Sequence, residues 1–428
     1  MTASAAPAPT EKPGMRRHWT AIIAMAFVAS PGIILRFAGV DLSPMVAAPI
    51  FGLSILAAAF LLSWAAETSE MDISQGMALA VIAFIAVLPE YAVDLVLSWK
   101  AGADPEVAAR GLAVANMTGG NRLLIGVGWP IVFLLFFYRT GFRQLVVDKQ
   151  RALELTFLGI ATLYVILLPL RHSITLIDTI VLVSMFIAYL YFTSRIESED
   201  VELMGPAQAM GALPDIKRRG LVLLVLAFSA VAIFASAEPF ADALVGIGQK
   251  FGISDFLLIQ WLAPLASESP EVLVAGLLAW HGRANVGMGA LISSKVNQWT
   301  LLIGTLPIAF ALSAGEFHLT GGLPLDGRQR EEIFLTAAQS AFAIAVFANL
   351  KMGAREAITL FVLFATQLFI PSEQVRIYYG IAYAVLCVVL LIHNRADLPV
   401  TGRAAWDVIR GRAKDVEAGP VEIAAGDP

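Results

Sequence analysis

The sequence predicts an all-α polytopic membrane protein with about 11–12 transmembrane helices, built as two inverted-topology repeats of five helices with added terminal helices. Hydrophobic residues make up 58% of the 428-residue chain, charged residues only 15%, and the mean hydropathy is +0.75. A soluble protein carries about 25% charged residues. Only helices and closed barrels can span lipid, and the apolar runs here are longer than the ~10-residue strands of a barrel, so helices are predicted.

The apolar runs place the spans in order along the chain. Residues 1–15 are expected to form a disordered tail, and an additional helix within 16–43 follows Arg16 and Arg17. No small-residue cleavage site follows this helix and more spans do, so it is interpreted as a membrane helix rather than a secretion signal. The further predicted spans are 44–66, 72–99, 107–138, 151–170 and 174–194, and then 220–248, 253–280, 285–314, 331–349, 355–370 and 374–393.

A polar linker at 195–219 divides the spans into two halves. If the first helix is an addition, five spans precede the linker, and an odd number forces the second copy to insert upside down. The predicted units are a first repeat at 44–194 around a central region at 72–138, a second repeat at 220–393 around 253–314 with one additional helix, and a C-terminal tail at 394–428.

Lysine and arginine are unevenly shared between the loops on the two sides. In a twelve-span count one side receives most of them, including Arg16, Arg139, Arg219 and Arg355. Cytoplasmic loops carry the excess of positive charge in membrane proteins. The bias predicts an integral protein of the inner (plasma) membrane with both termini and the linker in the cytoplasm.

Each half contains an apolar helix with a Pro-Glu step, at Glu90 and at Glu271. Asp94 lies four residues after Glu90, and Glu268 lies three residues before Glu271, so each helix presents two acids on one face. An Asp at the centre of a membrane helix costs roughly 2.5–3.5 kcal/mol, so such acids mark wet cavities, cation sites or proton relays. The alternative is that some of these acids lie at the water interface.

A second apolar segment in each half is interrupted at Gly119-Gly120 and at Ser293-Ser294, which are expected to unwind the helix. The proline before each Glu also frees a carbonyl one turn earlier. Freed carbonyls beside carboxylates form a hard-oxygen ligand set suited to Na⁺ or Ca²⁺. The alternative is close helix packing, which small residues also serve. Neutral side-chain oxygens come from Asn116, Thr118, Asn121, Ser293 and Ser294.

Two basic residues accompany these breaks. Lys295 lies inside the second one, and Arg122 directly follows Asn121. An amine in the site could neutralise a carboxylate, take the place of a bound cation, or carry a proton. Both residues are therefore candidates for charge or proton coupling. For Arg122 the alternative is snorkelling or a structural pair with a neighbouring acid.

The paired segments resemble the two alpha repeats of the calcium/cation antiporter superfamily, which has the sodium/calcium exchanger fold. Those repeats run roughly G-T-S-L-P-E and then G-N-h-h-G-S-N-h-h-N, where h is apolar, and residues 115–121 and 289–298 fit the second element. The resemblance implies that Glu90 and Glu271 bind the ion and ligate the metal. It also assigns ion-binding positions in the second elements and before the second Glu to Asn116, Asn121, Ser293, Ser294 and Ser267.

Departures from that pattern change the expected ion. Ala86-Val87 stand where the pattern has Thr-Ser, Glu268 replaces a Ser, and Lys295 replaces an Asn or Asp. A site with fewer neutral oxygens and an added ammonium suits Ca²⁺ less well. It suits a monovalent cation exchanged against protons better.

The predicted function is that of a secondary-active cation antiporter of the sodium/calcium exchanger type. It would exchange Na⁺ or Ca²⁺ against H⁺ by alternating access at a midplane carboxylate site. The alternative is a degenerate transporter homologue acting as a sensor or scaffold, with Lys295 as a tethered cation. An enzyme is not expected, because motifs such as H-E-x-x-H and G-x-S-x-G are absent. The expected partners are the lipid bilayer and small inorganic cations, without nucleic acid or any cofactor, and the oligomeric state is left open.

Overall fold

The computed structural model describes residues 15–69, 71–72, 88–195, 203–368, 373–396 and 398–410. This part of the chain is almost entirely helical, and it contains ten helical segments that are long and apolar enough to cross a membrane. Some of these segments consist of two or more consecutive helices. Of the predicted span 72–99, residues 73–87 lie outside the described residues, and the helix Leu88–Ala103 covers residues 88–99. The predicted span 355–370 is described as far as residue 368, as the helix Ala354–Leu368. The all-α membrane fold is confirmed. Most of the predicted N-terminal tail, Ala86-Val87 and the C-terminal tail after residue 410 lie outside the described residues.

In the first half the helices follow the predicted order. A π-helical segment, Leu124–Gly128, joins the fifth helix to the sixth, and Leu168–Leu170 forms one turn of 3₁₀ helix. The helices are α1 Met15–Ala38, α2 Pro44–Ser69, α3 Leu88–Ala103, α4 Pro105–Arg110, α5 Leu112–Leu123, α6 Trp129–Thr140, α7 Arg151–Val165 and α8 Leu176–Thr193.

The second half begins inside the predicted linker. There α9 is a short helix, and α10 begins several residues before the predicted span at 220. A second π-helical segment, Gln298–Leu302, joins α12 to α13, and Phe347–Asn349 is a 3₁₀ turn. The helices are α9 Pro206–Gly211, α10 Asp215–Phe251, α11 Asp255–Trp280, α12 Ala284–Asn297, α13 Ile303–Ala314, α14 Gly327–Val346, α15 Ala354–Leu368, α16 Glu373–His393 and α17 Leu398–Ile409.

The short break between α4 and α5 follows from local sequence. The side chain of Asp104 caps α4 by accepting a hydrogen bond from the Glu106 N–H at 2.8 Å, and Pro105 occupies the first turn. Gly111 ends this helix with φ of 64°, a left-handed conformation that favours glycine. The chain therefore turns once before it enters α5.

The two π-helical segments occupy matching positions in the two halves. Leu124 lies five residues after Gly119, and Gln298 lies five residues after Ser293, the residues that the repeat pattern equates. A π segment adds a residue to a helical turn and is frequently found at functional sites. The same irregularity in both copies supports the repeat relation between them.

Two small antiparallel ladders tie loops of the first half to loops of the second. Strand β1, Gln144–Val146, pairs with β4, Lys351–Gly353, and β2, Ser173–Thr175, pairs with β3, Gly322–Pro324. Each central residue is buried, Leu145 opposite Met352 and Ile174 opposite Leu323. The ladders fix the helix ends of one half against those of the other.

The helices at the predicted breaks do not unwind. Helix α5 is continuous through Gly119-Gly120, and α12 is continuous through Ser293-Ser294. The prediction of unwound helices at these pairs is wrong, and at Gly119-Gly120 the reason is that the small residues serve close packing. A Cβ at Gly119 would lie 2.7 Å from the carbonyl carbon of Gln260 in α11.

The largest helix contact joins α2 to α10, and α1 packs on both. Small residues bring the helices together. A Cβ at Gly52 would lie 2.9 Å from the ring of Phe240, and one at Gly246 would lie 2.7 Å from the ring of Pro44. These three helices form a bundle beside the rest of the molecule.

Asp72, just beyond the end of α2, is held by two arginines at the start of α10. Its carboxylate accepts hydrogen bonds from Arg218 at 2.7 and 2.8 Å and from Arg219 at 2.9 Å. The hydrogen bonds from Arg218 and then Arg219 lower the pKa of Asp72 from 3.8 to about 2, against the opposing effect of burial.

A carboxylate whose pKa is lowered by folding contributes stability above its unfolded pKa, and that stability is lost as the pH falls through the folded value. Asp72→Asn is therefore expected to lower the melting temperature at neutral pH, by an amount that shrinks as the pH falls from 3.8 to about 2. Melting curves over this range measure the difference, with Asp41→Asn at an exposed carboxylate as the control. A difference that did not change with pH would contradict the assignment.

Candidate functional site

Helices from both halves enclose one narrow polar cavity. Helices α3 and α5 come from the first half, and α11 and the π-helical segment after α12 come from the second. In this conformation the space between its walls is too narrow to hold a water molecule. Its lining residues are Glu90, Asp94, Asn116, Met117, Gly120, Asn121, Pro264, Ser267, Glu268, Gln298 and Leu302.

Three of the four predicted acids line this cavity. Glu90 is 3% exposed, and Asp94 and Glu268 are fully buried. Glu271 lies one turn beyond Glu268 on α11, half-buried and outside the lining, within electrostatic range of Glu90. Because Glu90, Asp94 and Glu268 are buried, the alternative that they lie at the water interface is excluded for these three acids.

Two of the acids are held by amides. Asn116 Nδ2 donates to Asp94 Oδ1 at 3.0 Å, within the first half. Gln298 Nε2 donates to Glu268 Oε1 at 2.6 Å, within the second half. In each half, therefore, an amide from a neighbouring helical segment of the same half holds one acid. The amide fixes the direction of that carboxylate.

Glu90 differs from these acids. Both of its carboxylate oxygens are buried, and neither has a hydrogen-bond partner in the described part of the chain. A buried carboxylate without partners carries a large desolvation cost, so it needs an explanation. A cation or a proton in the cavity supplies one.

Two glycines of α5 allow the cavity walls to meet. Gly119 faces the backbone of Gln260, and a Cβ at Gly120 would lie 2.9 Å from Glu268 Oε1. Larger residues at these positions would push α5 away from α11. The pair therefore brings Asn116 and Asn121 within reach of the acids of the second half.

Lys295 lies beside the cavity and does not line it. Its side chain is fully buried, and Nζ donates to Asn121 Oδ1 at 2.5 Å and to the Asn121 carbonyl oxygen at 3.3 Å. The ammonium also lies 4.1 Å from the centre of the Trp299 ring. The repeat pattern equates Lys295 with Asn121, so the two matching positions of the repeats contact each other.

Arg122 and the two serines of α12 are placed outside the lining. The Arg122 guanidinium forms an ion pair with Glu332 at 2.7 Å. This is the alternative that the sequence analysis gave for Arg122, a structural pair with an acid. Ser293 shares a 2.6 Å hydrogen bond with the hydroxyl of Tyr189, on a face turned away from the cavity, and Ser294 is half-buried. Ser267 does line the cavity, and its hydroxyl donates to the Ala263 carbonyl at 3.3 Å.

Gln298 is a cavity residue that the predicted site set omits. It lies at the start of the second π segment and holds Glu268. The sequence feature that could have identified Gln298 is its amide in an otherwise apolar segment, at the end of the stretch 289–298. A second amide, Gln260, is buried behind the wall and donates to Thr118 Oγ1 at 3.3 Å.

The cavity presents carboxylate, amide and hydroxyl oxygens, which are the ligands of hard cations. Among the described residues, no three acids or imidazoles converge closely enough to hold a metal ion in this conformation. A membrane bundle whose two halves place acids in one buried central cavity has the architecture of an ion transporter.

Comparison with known proteins gives the family. A family model described as sodium/calcium exchanger protein matches residues 43–195 and 221–393, well over half of the chain. The chain therefore belongs to the sodium/calcium exchanger family, whose members are secondary cation transporters rather than enzymes.

Individual relatives agree with this assignment. The crystal structure of the H⁺/Ca²⁺ exchanger CAX is 40% identical, covers 92% of this chain and 99% of its own, and superposes with a TM-score of 0.88. Native YfkE shares the fold at 15% identity and a TM-score of 0.60, over 82% of this chain and 99% of its own. The putative antiporter CaxA of Alkalimonas amylolytica is 24% identical over 106 residues, which span 25% of this chain and only 30% of that relative.

Proposed function

We propose that this protein is a Ca²⁺/H⁺ antiporter of the inner membrane that works by alternating access at the acid-lined cavity. The observation that carries the proposal is Glu90, whose two buried oxygens have no partner in the described part of the chain beside Asp94 and Glu268. Buried acids this close need neutralising charge in every conformation. Ca²⁺ would supply it in one direction of transport, and protons on the carboxyl groups would supply it in the other.

The expected preference for a monovalent cation rested on the neutral oxygens missing at Ala86-Val87, which lie outside the described residues, and on the ammonium of Lys295 sharing the site. In the structure Nζ binds Asn121 and the face of Trp299, and Lys295 does not line the cavity. The ammonium lies within electrostatic range of Glu268 but forms no ion pair with it in the described part of the chain, so the carboxylate oxygens remain available to the transported ion. A charge-rich oxygen site of this kind favours a divalent ion, and the 40% identity to an H⁺/Ca²⁺ exchanger supports the same choice.

Each acid has a distinct part in the proposed exchange. Glu90 and Glu268 bind the ion from opposite halves, while Gln298 holds Glu268 and Asn116 holds Asp94. Ca²⁺ binds when the carboxylates are ionised, so its entry releases their protons. Since one site cannot hold both kinds of ion at once, Ca²⁺ and H⁺ cross in opposite directions.

The bundle of α1, α2 and α10 is the proposed moving part. At one end Lys100 in α3 donates to Asp242 in α10 at 2.6 Å and lies 3.2 Å from Glu238. Glu238 also pairs with Arg36 in α1 at 2.5 Å. The pairs of Lys100 connect the bundle to α3, whereas the Arg36–Glu238 pair lies within the bundle. Partly exposed pairs of this kind are weak enough to exchange as the bundle moves. We also propose that both termini lie in the cytoplasm, because the loops on that side carry the excess of lysine and arginine.

The test uses the purified protein in liposomes with a pH-sensitive dye inside. An inward Ca²⁺ gradient is expected to drive protons out, whereas equal gradients of Na⁺ or K⁺ produce little pH change. Glu106→Gln, at an exposed carboxylate of α4, is the control for loss of an acid. Ca²⁺ uptake that requires Na⁺ on the other side and ignores pH would overturn the proposal.

A second candidate is a sensor or scaffold in which Lys295 acts as a permanently tethered cation. The short Lys295–Asn121 hydrogen bond at a cavity wall favours it. The liposome assay distinguishes the antiporter from the sensor or scaffold. A protein that moves none of the three cations, but gains Ca²⁺ transport as Lys295→Ala, would be the sensor.

A further inference from the structure

A second cluster of buried charges lies outside the cavity. Arg122 and Arg376 share the carboxylate of Glu332, with N–O distances of 2.7 Å from Arg122 and 2.6 Å from Arg376. Their side chains are 2%, 6% and 0% exposed, respectively. The cluster, here called the triad, buries two positive charges with one negative charge.

The triad joins three helices, and a neighbouring glutamine adds a fourth. Arg122 comes from α5, Glu332 from α14 and Arg376 from α16. Gln367 of α15 adds a fourth, because its Oε1 accepts from Arg122 Nη1 at 3.4 Å. The backbone carbonyl of Arg122 also accepts from Gln339 of α14 at 3.4 Å. Both the side chain and the main chain of this residue are thus fixed to the C-terminal helices.

The same residue is connected to the cavity. Arg122 directly follows Asn121, which lines the cavity and accepts the hydrogen bond from Lys295. Its guanidinium lies 4.9 Å from the centre of the Trp261 ring, next to the Gln260 carbonyl that packs on Gly119. A displacement of Arg122 therefore displaces the α5 wall of the cavity.

We propose that Glu332 and Arg376 are positioning residues for the transport site. They hold α5 against the C-terminal helices, so that Asn116 and Asn121 keep their places while the bundle of α1, α2 and α10 moves. The inference rests on the proposed function, because its test measures the KM for Ca²⁺ transport. Buried ion clusters are poor sources of stability, since well-packed apolar replacements are often as stable, and their use lies in fixing geometry.

Because apolar residues can replace a buried ion cluster without loss of stability, a variant without the triad tests the proposal. In the triple variant Arg122→Met, Glu332→Leu, Arg376→Met, no charge is left unpaired, so the protein is expected to fold with a melting temperature near that of the unmodified protein. Its KM for Ca²⁺ is expected to rise about tenfold or more, with a smaller change in the maximal rate, as when supporting groups around a metal ligand are removed. Arg403→Met, at an exposed arginine of α17, is the control. A stable triple variant with unchanged KM would overturn the proposal.

A milder variant covers the case in which the triple variant does not fold. Glu332→Asp keeps the charge but shortens its reach to both arginines, so KM is expected to rise while the fold persists. A fall in melting temperature with an unchanged KM would mean that the triad is only structural, and would overturn the proposal.

Failure of the proposed function is recognised separately. If the unmodified protein exchanges another cation, KM is measured for that ion and the comparison is unchanged. If it transports none, the rise in melting temperature on adding Ca²⁺ replaces KM, and the triple variant is expected to need about tenfold more Ca²⁺ for the same rise. Equal responses to Ca²⁺ in both proteins would overturn the positioning role.

Discussion

Glu90→Gln is expected to abolish Ca²⁺-driven proton movement while leaving the protein folded. A unit charge at 4 Å contributes about 4 kcal/mol to an interaction at an effective dielectric constant near 20. Since 1.4 kcal/mol corresponds to a factor of ten, loss of this carboxylate lowers Ca²⁺ affinity by at least about a hundredfold. The amide has nearly the same shape and removes a buried charge, so folding is not penalised.

The effect is measured as the initial rate of proton efflux from liposomes at saturating and at low Ca²⁺. Glu106→Gln, which removes an exposed carboxylate of α4, is expected to keep the unmodified rate. Normal transport by Glu90→Gln would mean that the unpartnered oxygens of Glu90 do not bind the ion.

Among alanine substitutions at the glycines of the described residues, Gly119→Ala is expected to cause the largest structural effect. The added Cβ would lie 2.7 Å from the carbonyl carbon of Gln260 and nearer still to its oxygen. Both contacts are to backbone, so no side chain can turn aside, and overpacking of this kind costs typically 1–3 kcal/mol or more. Moving α5 away from α11 would also separate Asn116 and Asn121 from Glu268, so transport is expected to be lost together with stability.

The matched control is Gly159→Ala in α7. A Cβ there meets nothing within 4 Å, and Ala in a helix interior is more favourable than Gly by roughly 0.5–1 kcal/mol. This variant is expected to melt slightly higher than the unmodified protein and to transport normally. If Gly119→Ala behaved like Gly159→Ala, the close packing of α5 on α11 would not be needed for the site.

The convergence of the acids could be predicted from the sequence, because a carboxylate in an apolar run has few stable placements. The spacing of Glu90 and Asp94 puts both on one helix face, and the same holds for Glu268 and Glu271. Three of them do line one cavity. Glu271, one turn further along α11, does not line it, although one of its carboxylate oxygens is buried.

The role of Gly119-Gly120 could not be decided from the sequence. Glycine favours both unwound backbone and close helix approach, and the choice depends on what lies opposite. Here the backbone of Gln260 lies opposite, on a helix far along the chain. Nothing near Gly119 in the sequence indicates that neighbour.

The basic residues illustrate the same limit. The side-chain partner of Lys295 is Asn121, and that of Arg122 is Glu332, which belongs to neither motif. The sequence identifies each charge as costly but does not indicate where its partner lies. Gln298 was omitted for a similar reason, since its importance depends on the 2.6 Å contact with Glu268.

Proton efflux driven by a Ca²⁺ gradient, measured in liposomes for the unmodified protein and for Glu90→Gln, tests the central claim most directly. That claim is that one cavity binds Ca²⁺ and protons alternately. The expected result is efflux that rises with the Ca²⁺ gradient in the unmodified protein and is absent in Glu90→Gln. Ca²⁺ entry without proton movement, or equal efflux from both proteins, would contradict it.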